Sequence, residues 1–163
     1  MIGGAGRAPL LAALGLLWEL APGQAAATKP CWADSRSSDS AEIASLLSRY
    51  AHYADAQDAD GFVGLFTDDG VWDLGVSGRY VGHDAIRGFF SKIPAGGRHV
   101  TSNYAIEVSR DGTAEARSYV TLMGLVEGHP VIRGAGTYED QLVRIGCDWK
   151  ILSRTFTPWT APQ

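Results

Sequence analysis

Cysteine is scarce in this chain. Cys31 and Cys147 stand far apart, so neither a CxxC redox pair nor a four-ligand zinc site can be drawn from them. They read first as two unrelated thiols, and a disulfide tying the N-terminal segment to the last hairpin is the alternative, which would need an oxidising compartment. Positive charge is also short: 14 Lys and Arg face 18 Asp and Glu, the formal net charge is −4, and no basic run occurs, which argues against a nucleic-acid partner. The four histidines, His52, His83, His99 and His129, show neither HxH nor HExxH spacing, so no metal site is expected. A GxSxG elbow, a P-loop and a complete GxGxxG are all missing; Gly134-Ala135-Gly136 is only a fragment inside a strand-like stretch. No cofactor is therefore expected. No internal period appears either, which excludes a solenoid.

What remains is ample material for one core. A chain of 163 residues with a hydrophobic fraction of 45%, five Trp, six Tyr and five Phe can bury a single interior, whereas two domains would each be starved of it. The apolar stretch from Ala8 to Trp18 follows the charge of Arg7 and precedes Ala25-Ala26-Ala27, the order of a secretory signal. Glu19 closes that stretch too early for a membrane span, and no membrane partner is expected. Residues 1–27 thus read as a cleaved signal or as an upstream extension that never folds. The first reading implies secretion or the periplasm, the second the cytoplasm. Residues 28–39, rich in Ser and charge, read as a linker, and 40–159 as the folded domain.

Asp39 with Glu42 forms a capping box, and Ile43, Leu46, Leu47, Tyr50 and Ala54 make one helical stripe running to about Ala56. Asp58 can cap a second helix through Phe66, with Thr67-Asp68-Asp69-Gly70 as the turn that ends it. Val71 to Leu74 and Arg79 to Val81 flank Gly75 to Gly78 as a hairpin, and His83 to Phe90 returns to helical spacing. From Arg98 onward strand follows strand, separated by Asp111-Gly112, by Glu127 to Pro130, and by Ile145 to Asp148. This order is α+β. Tyr119, Met123 and Leu125 take one parity and Val120 and Leu122 the other, so both sheet faces should be covered, one by helices and the other by a second copy of the chain.

Tyr50-Ala51-His52-Tyr53-Ala54-Asp55, Gly61 to Gly70, Gly82-His83-Asp84-Ala85-Ile86, Arg98-His99 with Asn103, Gly136 to Asp140 and Trp149 to Arg154 together resemble the SnoaL-like branch of the NTF2-like superfamily. The resemblance implies a cone-shaped α+β barrel, three N-terminal helices packed on a curved, mostly antiparallel sheet, around an apolar pocket. It is far less specific for activity, since relatives include scytalone and bile-acid dehydratases, steroid isomerases, polyketide cyclases, epoxide hydrolases and non-catalytic dioxygenase β subunits.

By position, the resemblance makes His99 the general acid or base, Asp55 its orienter and Tyr50 the hydrogen-bond donor to a developing oxyanion, with Asn103, Tyr53, Tyr119, Phe66 and Trp72 as substrate-binding candidates. Taken alone, the residues leave alternatives open. Tyr50 lies on the apolar stripe and can be plain core. Asp55 falls about 120° from the centre of that stripe on an ideal helix, the place of a solvated helix-end residue. His99 could be an exposed strand-start residue. His99 and Asn103 share strand parity and should leave the same face, though a buried amide can equally bond a neighbouring strand. Thr121 and Leu122 stand where the bile-acid type carries a second acid, which removes that part of its mechanism. The expected activity is a cofactor-independent lyase, isomerase or cyclase acting on a lipophilic small molecule. The alternative is a non-catalytic ligand-binding or assembly module.

Overall fold

The computed structural model describes residues 36–159; the signal-or-extension reading, most of the expected linker and Cys31 lie outside these residues. Cys147 is disulfide-bonded. Helix α1 spans Arg36–Ala56, so it starts ahead of Asp39 and takes in the end of the expected linker. Asp39 is not its cap. Its carboxylate instead receives the Trp149 indole N–H at 3.3 Å and pairs with Arg144, both from the last hairpin. The predicted stripe is the buried one: Ile43, Leu46, Leu47 and Tyr50 are each at most 1% exposed.

Helix α2 is short, Ala59–Val63, and is capped as the sequence predicts, the Asp58 carboxylate accepting from Gly61 N at 2.9 Å. It ends at Gly64 and does not reach Phe66. Phe66 opens strand β1, Phe66–Asp73. Its pairing with the last strand jumps from Phe66↔Ile151 to Val71↔Ser153, so the expected turn residues Thr67 to Gly70 are looped out as a bulge within the strand. Gly70 is needed there, because a Cβ would stand 2.9 Å from both Phe66 Cβ and the Thr67 carbonyl. A 3₁₀ turn at Gly75–Ser77 leads to β2, Arg79–Val81, and then to α3, His83–Phe90.

The third helix therefore follows the first two strands, and the three helices are not all N-terminal to the sheet as expected. The meander is β3 Arg98–Val108, β4 Thr113–Val126, β5 His129–Ile145 and β6 Asp148–Pro158. Six strands lie in the order β2-β1-β6-β5-β4-β3, antiparallel except for β1 beside β6. The helices cover one face. Along β4 the buried residues Ala114, Ala116, Ser118 and Val120 alternate with exposed Thr113, Glu115, Arg117 and Tyr119, the period-two pattern of a sheet packed on one side.

Single-residue bulges interrupt the ladder between Ser102 and Ala105 in β3, at Arg133 in β5 and at Leu152 in β6. Each shifts parity by one and bends its strand. Among the described residues no helix is long and apolar enough to cross a membrane.

Candidate functional site

An apolar cavity of about 360 Å³ lies between the helices and the inner sheet face, within the range of ligand pockets, roughly 300 to 1,000 Å³. Phe62, Phe90, Ile93, Leu74, Val120, Leu122 and Phe156 supply its apolar wall. Polar hollows of about 470 and 450 Å³ lie on the outer sheet face around Glu107, Glu115 and Gln141. They are shallow relief between polar side chains and hold no acid–base pair like the one described next.

The end of α1 and the start of β3 meet at one edge of this cavity. Asp55 Oδ1 lies 2.7 Å from His99 Nδ1, and the same carboxylate accepts the His99 backbone N–H at 3.0 and 3.2 Å through its two oxygens. A carboxylate oxygen only accepts, so Nδ1 carries the proton and Nε2 is the basic nitrogen of the ring. The side chains are 20% and 17% exposed for His99 and Asp55, so the pair is sheltered but reachable. Helical periodicity alone places Asp55 toward solvent. It turns inward because α1 stops one residue later, at Ala56, and Gln57 takes a left-handed φ of 58°, which lays the helix end against the first residues of β3.

Tyr50, earlier on α1, sets its ring edge-on to the His99 imidazole, 6.3 Å between centroids at 85°. It is both core and cavity wall, 1% exposed. Burial raises its hydroxyl pKa above 10.0, opposed in part by the positive charge of Arg154; burial likewise pushes Tyr138 well above 10.0. Both phenols are thus held as donors at neutral pH. Trp72, on β1, also lines the cavity, and its buried indole N–H has no partner among the described residues.

The other sequence candidates lie elsewhere. Asn103 is exposed in the β3 bulge with φ 56°. The bulge cancels the parity argument that set it beside His99, and Tyr104 takes the inward position. Tyr53 packs over Gly61, where a Cβ would meet its ring at 2.7 Å. Phe66 is buried in the core against Tyr50 and Phe62. Tyr119 is on the outer face, 41% exposed and edge-on to Trp159. None of the four lines the cavity.

Sequence reasoning passed over a buried ion pair under the site. Arg154 donates from Nε and Nη2 to the two Asp140 oxygens at 2.6 and 2.8 Å, and both side chains are at most 1% exposed. The guanidinium lies over the rings of Tyr50 and Tyr138, 3.9 and 4.3 Å from their centroids. Burial pulls the Arg154 pKa down, but the Asp140 charge and hydrogen bonds outweigh it and hold the value above the ordinary one. Arg154 Nη1 and Ser118 Oγ, both buried, have no hydrogen-bond partner among the described residues. The signal available in the sequence was Asp140 at the parity of Tyr138 and Leu142, a charge on an apolar face. Arg154 carried none, because only the Leu152 bulge brings it to that face. Among the described residues no group of three or more His, Cys, Asp or Glu could hold a metal ion.

A helix-covered, bulged sheet enclosing an apolar cavity is the NTF2-like, cystatin-like architecture. The SnoaL-like domain profile matches residues 35–155, and the chain belongs to that family. A Mycobacterium tuberculosis protein of unknown function is similar in structure, with TM-score 0.72 and 26% identity over 77% of this chain and 75% of that one. A candidate aromatic ring hydroxylase from Novosphingobium aromaticivorans gives TM-score 0.68 and 30% identity over 78% of this chain and 94% of its own. A candidate scytalone dehydratase from the same organism shares the fold, with TM-score 0.68 and 21% identity over 77% and 87%. No curated protein matches the chain.

Proposed function

We propose that this protein is a cofactor-independent acid–base enzyme of the dehydratase, isomerase or cyclase type, acting on a lipophilic carbonyl-bearing metabolite. The observation that carries it is the 2.7 Å contact of Asp55 with His99 at the edge of an apolar cavity, the arrangement of a base whose tautomer and orientation are set by a third group. In this reading His99 Nε2 takes a proton from the carbon next to a substrate carbonyl. The electron pair moves onto the carbonyl oxygen, where the Tyr50 hydroxyl, kept protonated by burial, stabilises the enolate. Asp55 stabilises the imidazolium. In a dehydration the enolate collapses, a carbon–carbon double bond forms, and the departing hydroxide leaves as water with the proton returned from His99. Isomerisation returns the same proton to another carbon.

A non-catalytic module that holds a hydrophobic ligand or partner is the second reading, favoured by the largely apolar lining of the cavity. Mutation separates the two. With a substrate found by screening lipophilic hydroxy-ketones, His99→Ala should lower turnover by about 10² to 10⁴ with the circular dichroism unchanged. Asp55→Asn should lose part of that factor, and the double variant little more than His99→Ala alone, because both act on one proton. Full activity in His99→Ala removes the mechanism.

A further inference from the structure

Arg133 stands out among the cavity residues because it is an exposed cationic side chain at the edge of a largely apolar wall. It is the extra residue of the β5 bulge: Leu122 pairs with Gly134 and Met123 with Ile132, leaving Arg133 unpaired between them. Its side chain crosses the inner sheet face over Gly124. A Cβ at Gly124 would meet Arg133 Nε at 2.1 Å and Cδ at 2.7 Å, so the glycine is the seat on which the guanidinium stem lies. Gly124 is buried even though it belongs to the otherwise exposed end of β4, which this cover explains. The head is fixed by one hydrogen bond, Nη2 to the Leu125 carbonyl at 3.1 Å. No carboxylate pairs with Arg133 among the described residues, and a guanidinium offers five donors. Donors therefore remain for a ligand.

From this we propose that Arg133 is a specificity residue at the mouth of the cavity, and that the substrate is amphipathic, an apolar body ending in a carboxylate read by the Arg133 guanidinium. His99, Leu122 and Gly134 are successive cross-strand neighbours, so the backbone next to Arg133 lies two strand spacings, roughly 10 Å, from that of His99. The anionic end would sit at that remove from the reacting carbon. Asp55, the acidic residue of the cavity wall, is engaged by His99, which reduces its repulsion of such an anion. The inference rests on the reading of the cavity as a small-molecule site.

A matched pair of probes tests it. Naphthylacetate and its neutral amide, naphthylacetamide, would be titrated by calorimetry into the full-length protein. The wild type should bind the acid about fivefold more tightly than the amide, the scale of a partly exposed ionic contact. Arg133→Gln should erase that preference while leaving the amide affinity within about twofold, and Arg133→Lys should keep part of it. Equal affinity of the two probes in the wild type, or a preference surviving in Arg133→Gln, overturns the role of Arg133 alone. Failure of both probes to bind the wild type at millimolar concentration overturns the small-molecule reading of the cavity together with it.

Discussion

Tyr50 shows how one side chain can serve packing and chemistry together. Its ring closes the core against Phe62 at 4.7 Å, carries the Arg154 guanidinium on its face, and meets His99 on its edge. The choice between a core tyrosine and a functional one, open in the sequence, does not divide the residue, because burial keeps its proton in place. That has a measurable consequence. Below about pH 10 both folded and unfolded chains hold the phenolic protons of Tyr50 and Tyr138. Above it the unfolded chain releases them, while the folded chain, with both values raised mainly by burial, keeps them. The unfolded state then binds fewer protons, so stability falls as pH rises through that range. Urea unfolding midpoints followed upward from pH 9 should drop, and Tyr138→Phe should drop less steeply. An identical slope in the variant would mean that Tyr138 does not contribute.

Strands in this fold do their positioning through what they interrupt. The Leu152 bulge moves β6 from an inward set containing Trp149 and Ile151 to one containing Arg154 and Phe156. The Arg133 bulge does the same in β5, and the β3 bulge turns Tyr104 inward and Asn103 out. At Asn103 the left-handed φ of 56° accounts for the residue type, since Asn tolerates that region better than other side chains apart from Gly. Asn103→Gly should be close to neutral in stability. Asn103→Val should cost about 1–2 kcal/mol, because a β-branched side chain is strained there, measured by denaturant unfolding. Turnover should be unaffected in both, and its loss in a folded variant would return Asn103 to the site.

At the scale of the molecule, the buried Arg154–Asp140 pair joins the sheet centre to the cavity floor. Removing one partner leaves an uncompensated charge, so Arg154→Met should destabilise by about 3–5 kcal/mol. Adding Asp140→Leu should recover much of that loss, and thermal melts of the two variants would show it. A double variant no more stable than the single would mean the cost comes from lost packing on Tyr50 and Tyr138. We also propose that a second copy covers the outer sheet face, where Val100, Tyr119 and Leu152 are 49%, 41% and 38% exposed. Sedimentation at micromolar concentration should give a dimer; monomer alone would count against it.

Much of the architecture was legible without coordinates, because it rests on local rules. The α1 stripe, the Asp58 cap, the third helix and the Asp-Gly hairpin follow from periodicity, capping and turn chemistry, which act within a few residues. His99, Asp55 and Tyr50 were legible only through resemblance, since nothing local says that a helix end will meet the first residues of a strand 44 residues later. Where α1 starts, where β1 begins, and which way Asn103, Arg133 and Arg154 face were decided by tertiary structure. Asp39 finds partners in the last hairpin and gives up the helix cap, and Phe66 is taken into β1 by pairing with Ile151. A bulge reverses strand parity at the cost of one unpaired residue. Whether that cost is met depends on the neighbouring strand and on the core behind it, which no window of sequence contains.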